Sequence, residues 1–360
     1  MPALDAIGDM LTTYVEGYLP NVWMDADRDF NNFFVVQELF KSRMTQGPDA
    51  PTFTWHFKVD SSDNTLATEL FDNDSVNRIN LLEKATQYYA VQKTHFAIDV
   101  REMSGGLGNY QVLNHLDAQA SDMLDGFARK NEIWWWTLPV YPNTTNRKPS
   151  GAPYYVVKST STAQQAFGFN GSNPSGYSSV AGLDRTDATF EGTKNGAFVY
   201  GAINDSDGLS KLDDAINKSG FKPPYPSKGE RVPAQRYKLA SHYTPWKTYQ
   251  DLLGGVNDNR GSDMGKYKAT SDGSVFYRSI PWTWVDALTN SASEAYDSTE
   301  PIYGFDMSTW DFMKKGPWFM KKSEITTGNS HNLRVTWMDS IINYRCTSPR
   351  SNFVGHKATT

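Results

Sequence analysis

GNYQVLNHLDAQASDMLDGFARKNEIWWW, residues 108–136, is the stretch on which the reading of this chain turns. Tyr110, Leu113, Leu116, Ala120, Met123, Leu124 and Phe127 recur three and four residues apart. Asp117, Ser121, Asp122, Asp125 and Arg129 fall on the other side, so the spacing predicts one long amphipathic helix with Asn109 as its cap. At about 1.5 Å per residue it would be on the order of 35 Å long, enough to cross a whole domain. The neighbouring segments are expected to rest on it.

Upstream, residues 1–50 show no single period. Leu4–Tyr18 and Phe30–Phe40 each carry a weak helical stripe, which reads as an arm ending at Gly47-Pro48. From Thr52 the alternation is strict: Phe53, Trp55, Phe57 and Val59 point one way, and Thr52, Thr54, His56 and Lys58 the other. A polar tip, residues 60–77, leads to a second extended run, QYYAVQKTHFAIDV, with Tyr88, Ala90, Phe96, Ile98 and Val100 in phase. Together they predict a two-stranded excursion leaving the body near residue 52 and returning near residue 100. An isolated ribbon of this kind is marginal in water, so its aromatic face must lie on the protein's own body or on a neighbouring copy.

Downstream of Trp136 the composition shifts to Pro, Ser, Gly and Asn over residues 137–180, marking a boundary or long connection. A second body of short mixed elements follows. Leu209, Leu212 and Ile216 make a helix stopped by Gly220. Thr244-Pro245 starts another helix, with Trp246, Tyr249, Leu252 and Leu253 on one face up to Gly254. Strands are expected at Ala197–Ala202, Ser274–Ile280 and Ile302–Phe305, and Trp282 and Trp284 in the core of this body. The terminus reads as two strands, Leu333, Val335 and Trp337 in one phase and Ile342, Tyr344 and Cys346 in the other. The change of phase predicts a turn or bulge at Met338-Asp339-Ser340. These strands should return to pair with early ones.

Bulk properties narrow the function. A net charge of −5 and a charged fraction of 21% leave no global basic field for nucleic acid, so any DNA contact would be local. The one cysteine, Cys346, excludes an internal disulfide, suits a reducing compartment and is expected in the core. The first basic residue is Arg28 and no apolar run nears the roughly 20 residues of a membrane span, so neither signal peptide nor anchor is expected.

Catalytic chemistry finds little support. His56, His95, His115, His242, His331 and His356 are scattered without metal-ligand spacing. The glycines of residues 104–108 lack the Lys-Ser/Thr of a phosphate loop, and no nucleophile elbow occurs. Glu300, Asp306 and Asp311 near Trp310 could form a glycosidase pair with aromatic sugar platforms, yet 40 acidic residues make such proximity unremarked. MKKGPWFMKK, residues 313–322, could meet a phosphate backbone and stack on bases, or be a solvated loop with a buried aromatic pair. No catalytic residue, cofactor or metal site is expected.

The order of parts, together with local motifs, resembles the major capsid proteins of tailed bacteriophages. Residues 98–116, IDVREMSGGLGNYQVLNHL, are similar to that family's strand, acidic residue, glycine turn and spine helix. Gly182-Leu183-Asp184-Arg185 resembles a signature of many such coats, although Phe190-Glu191 stands where Trp-Arg often follows. FYRSIPWTWVDAL (276–288) with EPIYGFDMSTW (300–310) resembles paired blocks of the capsomer-forming domain, and CTSPRSNF (346–353) the family's ending. The resemblance implies an α+β Hong Kong 97-type capsid fold with an N-terminal arm (1–51), an extended two-stranded loop (52–100), a peripheral domain with a long spine helix (101–150 and 321–360) and a separate capsomer-forming axial domain (151–320).

It also implies a structural protein of the virion capsid, assembled in the host bacterial cytoplasm from homo-oligomeric hexamers and pentamers into an icosahedral shell around nonspecifically packaged DNA. Separate scaffolding, portal and decoration proteins would be its partners, with no membrane. Phe53, Trp55, Phe57 and Tyr88 are the expected subunit-interface residues. Some members weld neighbours through a loop lysine and a late asparagine; here Lys58 or Lys84 and Asn343 or Asn352 stand for these, but no glutamate follows Glu324 to act as base, so no crosslink is expected. An aromatic-rich carbohydrate-active enzyme or sugar-binding module is the alternative.

Overall fold

The computed structural model describes residues 33–40, 43–58, 82–99, 109–139, 148–220, 236–257, 275–278, 280–323, 326–327 and 333–359. The expected helix at Leu4–Tyr18, the polar tip at 60–77 and the glycines at 104–108 lie outside them. Strands β1 (Met44–Gly47), β2 (Thr52–Lys58), β3 (Leu82–Tyr88) and β4 (Ala90–Asp99) precede the long helix Asn109–Trp136. After it come β5 (Gln165–Gly168), β6 (Gly196–Tyr200), β7 (Tyr237–Ser241), β8 (Val275–Tyr277), β9 (Ile280–Trp284) and β10 (Ile302–Asp306). The chain closes with β11 (Trp310–Lys315), β12 (Lys321–Lys322), β13 (Thr326–Thr327), β14 (Leu333–Cys346) and β15 (Phe353–Lys357).

These strands form two main sheets and a ribbon. One sheet is ordered β1-β11-β14-β12, with β13 and β4 also paired to β14; the other is β5-β6-β15-β10-β7-β9-β8, and β2 pairs with β3 alone. The architecture is mixed α+β. The expected long helix is present, starting at Asn109 itself, within the usual one-residue uncertainty of a helix end.

Several expectations change. The ribbon returns at Tyr88 and not near residue 100, because β4 leaves it to pair antiparallel with β14 from Leu333↔Asp99 to Ile342↔Ala90. No turn interrupts β14 at Met338-Asp339-Ser340. Thr336, Met338, Ser340, Ile342, Tyr344 and Cys346 are all buried, so one phase holds throughout. Trp337 misled the pattern: it lies on the outer face, 37% exposed, against the His95 ring at 4.5 Å. A buried alternation can thus carry Thr and Ser inward, and a large aromatic outward, when a cross-strand ring covers it.

The sheets do not follow the order of the chain. β11 pairs with β14 in the first sheet although it directly follows β10 of the second in sequence, and β15 lies in the second sheet beside β6 and β10. The chain therefore crosses between sheets at Met307–Thr309 and again at Pro349–Ser351. Residues 152–156 are not a surface connection, since Ala152, Tyr154, Tyr155 and Val156 are buried. In the second body the Leu209, Leu212 and Ile216 stripe is buried on the helix Gly208–Lys218, and Gly220 follows it at φ +73°. The helix Tyr243–Asn257 is capped by His242, whose Nδ1 accepts from Thr244 N at 3.1 Å, and it continues past Gly254. Trp282 is in the core, but Trp284 is 43% exposed.

The core is continuous across the junction, and the end of the long helix fills it. Trp135 lies edge-on to Trp310 and Tyr344 of the first sheet, both at 4.7 Å, and 6.2 Å from Phe305 of the second. Trp136 meets Tyr303 at 5.4 Å and Phe34 of the arm at 5.5 Å. Higher on the helix, Asn131 exchanges amide hydrogen bonds with Gln92 of β4 at 2.9 and 3.1 Å, which fixes the helix's height on the sheet. Edge-to-face contacts add to the area that these large rings bury. Trp135→Ala is accordingly expected to lower unfolding free energy by about 3–5 kcal/mol in urea titration, whereas Trp337→Ala should change it by less than about 1 kcal/mol.

Candidate assembly surface

The ribbon's sequence decides which of its side chains are available. Phe53, Trp55 and Phe57 alternate onto one face and all three are buried by this chain, with Phe53 stacked on Trp55 at 5.6 Å and tilted against Tyr89 at 5.0 Å. Their hydrophobic cover is intramolecular, so these three expected interface residues leave little area for a neighbour. Tyr88, the fourth, is 51% exposed, and Leu82 at the other end of β3 and Val91 early in β4 are exposed too.

Backbone and amide bonds hold the ribbon down. Thr86 N donates to Ala181 O at 2.9 Å, and Asn343 Nδ2 donates to Tyr88 O while its Oδ1 accepts from Ser150 N at 2.7 Å. Ala181 immediately precedes the Gly-Leu-Asp-Arg segment. Val180 and Leu183 exchange two backbone hydrogen bonds around Ala181 at φ +52° and Gly182 at φ +87°, a two-residue turn that needs left-handed backbone at both positions. Arg185 then enters the core, donating to Tyr155 O at 2.9 Å and Asn195 Oδ1 at 3.3 Å, and burial pulls its guanidinium down to about 10. This motif is a structural anchor.

Among the described residues, large apolar side chains are exposed beyond the ribbon as well. On the outer face of the first sheet, Val91 is opposite Ile341 and His95 opposite Trp337, with β4 at the sheet's edge. On the second body Tyr243, Leu252, Trp284 and Tyr296 are exposed, Tyr243 lying edge-on to Trp284 at 5.4 Å. Exposed patches of this kind mark interaction surfaces more often than isolated apolar residues do. The outward position of Trp284 and Trp337 was not readable from alternation alone.

The acidic residues do not make a catalytic pair. Asp306 accepts from Arg236 Nε at 2.9 Å and Nη2 at 2.8 Å, Asp311 from Arg345 Nε at 3.0 Å, and Glu300 from Lys357 Nζ at 2.9 Å. Each is held by a separate cation. Trp310 is fully buried and cannot present a sugar platform, while Trp318 carries Lys321 over its ring at 4.1 Å. Phe319, next in that run, packs 5.4 Å from Phe312. Asn343 and Asn352 are buried and bonded; Asn352 Oδ1 accepts from Trp310 Nε1 at 3.0 Å and Asp306 N at 3.0 Å. Neither amide is open to attack by a lysine. Among the described residues no group of three His, Cys, Asp or Glu could hold a metal, and no helix is long and apolar enough to cross a membrane.

Comparison with known proteins gives no matching family model and no matching curated protein. Solved structures do match. The chain is similar to a subunit of the cyanophage A-1(L) capsid asymmetric unit, with TM-score 0.60 and 11% identity over 91% of this chain and 93% of that one. It is also similar to a chain of the capsid of a native GTA particle, with TM-score 0.50 and 9% identity over 90% of each. The fold is that of phage capsid subunits over nearly its whole length.

Burial pushes the Cys346 thiol up to about 12. The folded protein should not react with a thiol-specific disulfide reagent at pH 8, and one thiol per chain should appear only when denaturant is added.

Proposed function

We propose that this chain is the major capsid protein of a tailed bacteriophage, a Hong Kong 97-type subunit that assembles as hexamers and pentamers into an icosahedral head around double-stranded DNA. The observation carrying this is the likeness to a chain of the cyanophage A-1(L) capsid asymmetric unit, which extends over 91% of this chain and 93% of the other. A structural role fits a site inventory in which Glu300, Asp306 and Asp311 are each ion-paired, the cysteine is buried and much of the aromatic wealth lies in the core. The sugar-binding alternative loses its main support with the burial of Trp310.

Closed shells repeat the same contacts under symmetry, so modest patches summed over neighbours give a durable container. Tyr88, Val91 and Trp337 are the residues from the ribbon and first sheet assigned to such contacts, with Tyr243 and Trp284 on the second body. Phe53, Trp55 and Phe57 act beneath them, keeping the ribbon in place. Scaffolding, portal and decoration functions would come from separate proteins, assembly would take place in the host cytoplasm, and packaged DNA would be held without sequence preference.

Purified protein, alone or with its scaffolding partner, should sediment as large particles that appear icosahedral in negative-stain electron microscopy. A monodisperse monomer at high concentration under both conditions would overturn the proposal. Tyr88→Glu combined with Val91→Glu should abolish those particles while leaving the melting temperature of the free subunit within a few degrees, because surface substitutions change stability by about 0.5 kcal/mol or less.

A further inference from the structure

Two amide side chains, Gln87 and Asn343, lie where the ribbon meets the body. Strand register puts Gln87 opposite Phe53, on the ribbon face that also buries Ala85 and Trp55, and Asn343 is 2% exposed on β14. A buried amide is unfavourable unless its polar atoms are bonded. Asn343 meets that demand at both ends: Nδ2 donates to Tyr88 O, and Oδ1 accepts from Ser150 N and Tyr344 N, both at 2.7 Å. Ser150 Oγ in turn accepts from Gln87 Nε2, which closes a ring of bonds through β14, Ser150 and the end of β3. A second tie runs beside it. Tyr154 Oη donates to Gln87 Oε1 at 3.5 Å and accepts from Ala181 N at 2.8 Å, while Ala181 O accepts from Thr86 N at 2.9 Å.

These bonds grip Thr86, Gln87 and Tyr88 at the end of β3, next to the point where the chain turns from the ribbon into β4. Burial of Phe53, Trp55 and Phe57 presses the ribbon down, but that attraction has no direction and sets no angle. Hydrogen bonds weaken steeply when bent, so the ones at the base fix the angle. From Tyr88 to Leu82 the strand is about 20 Å long, and a swing of about 10° at its base moves the far end by about 3.5 Å. A packed contact does not tolerate such a shift, because a gap of about 0.5–1 Å already forfeits about a quarter to a half of the attraction.

We propose that this ring is an assembly clasp: Asn343 positions the ribbon, and through it the exposed Tyr88, for contact with a neighbouring subunit, and thereby sets the geometry of the particle. The clasp acts only in a subunit that assembles, and so rests on the capsid reading. Every copy in a closed shell repeats the same angle, so a small error in it changes the curvature on which closure depends. Asn343 does this from beneath, through the carbonyl of Tyr88, and is a positioning residue that the neighbour never touches.

Two substitutions in the full-length protein test the clasp. Asn343→Asp keeps the acceptor for Ser150 and Tyr344 and loses the donor to Tyr88 O; Gln87→Met keeps the length of the side chain without its bonds. In the unassembled subunit each should speed hydrogen exchange of the β2 and β3 amides about tenfold. Amides of β10 and the long helix should stay at the wild-type rate, and if Asn343→Asp loses that core protection, Gln87→Met decides. Wild-type particles should have one diameter in electron microscopy, and those of either variant should spread over several diameters or open sheets. Leu212→Ala, a cavity in the core of the second body, should lower stability without that spread. Variant particles as uniform as the wild type's, ribbon exchange that stays at the wild-type rate, or the same spread in Leu212→Ala would overturn the clasp. A wild type that forms no particles, alone or with its scaffolding partner, would overturn the capsid reading and this role with it, a result told apart from the others because it precedes any substitution.

Discussion

The insertion of Trp135 and Trp136 between the two sheets is the constraint on which the rest depends. Trp135 touches Trp310 and Tyr344 on one side and Phe305 on the other, so a single side chain belongs to the cores of both sheets. Packed interiors tolerate neither voids nor overlap at such a point. The sheets, crossed twice by the chain at residues 307–309 and 349–351, are thereby fixed relative to each other and to the long helix. A subunit that must repeat identical contacts needs that rigidity.

Rigidity at the junction sets what the margins can do. The ribbon is tied at Thr86, Tyr88 and Asn343, and its three inward rings are covered by the chain itself. What it offers outward is the other side, with Tyr88 and Leu82 exposed. The arm is held differently, by aromatic contacts, a parallel strand on β11 and a buried carboxyl capping its turn. Burying a carboxyl among neutral donors is tolerable when it is protonated and unfavourable when it is charged.

Much of this was legible in the residues. The three-and-four spacing from Tyr110 to Phe127 located the long helix, strict alternation located β2, and the lack of a basic cluster near Cys346 placed it in the core. Long-range pairing was not legible. Nothing local marks Tyr89 as the point where the chain leaves the ribbon for the first sheet, because β3 and β4 share one alternating pattern and differ only in which strand they meet. Trp337 made β14 look like two strands because the His95 ring, tilted against it, covers it outside the core. Glu132 is one more helix carboxylate in sequence; only the arm folded above it reveals its burial.

The central claim is that this is a building block whose own core covers the aromatic stripe of the ribbon while Tyr88, Val91 and Trp337 wait for neighbouring copies. A residue-resolution cryo-electron microscopy reconstruction of the assembled particle addresses it most directly. Phe53, Trp55 and Phe57 should keep the intrachain contacts of the free subunit, with Tyr88, Val91 and Trp337 covered by adjacent subunits. A shell in which those three residues stay open to solvent, or in which the aromatic stripe leaves its own chain to fill a pocket in a neighbour, would contradict the account.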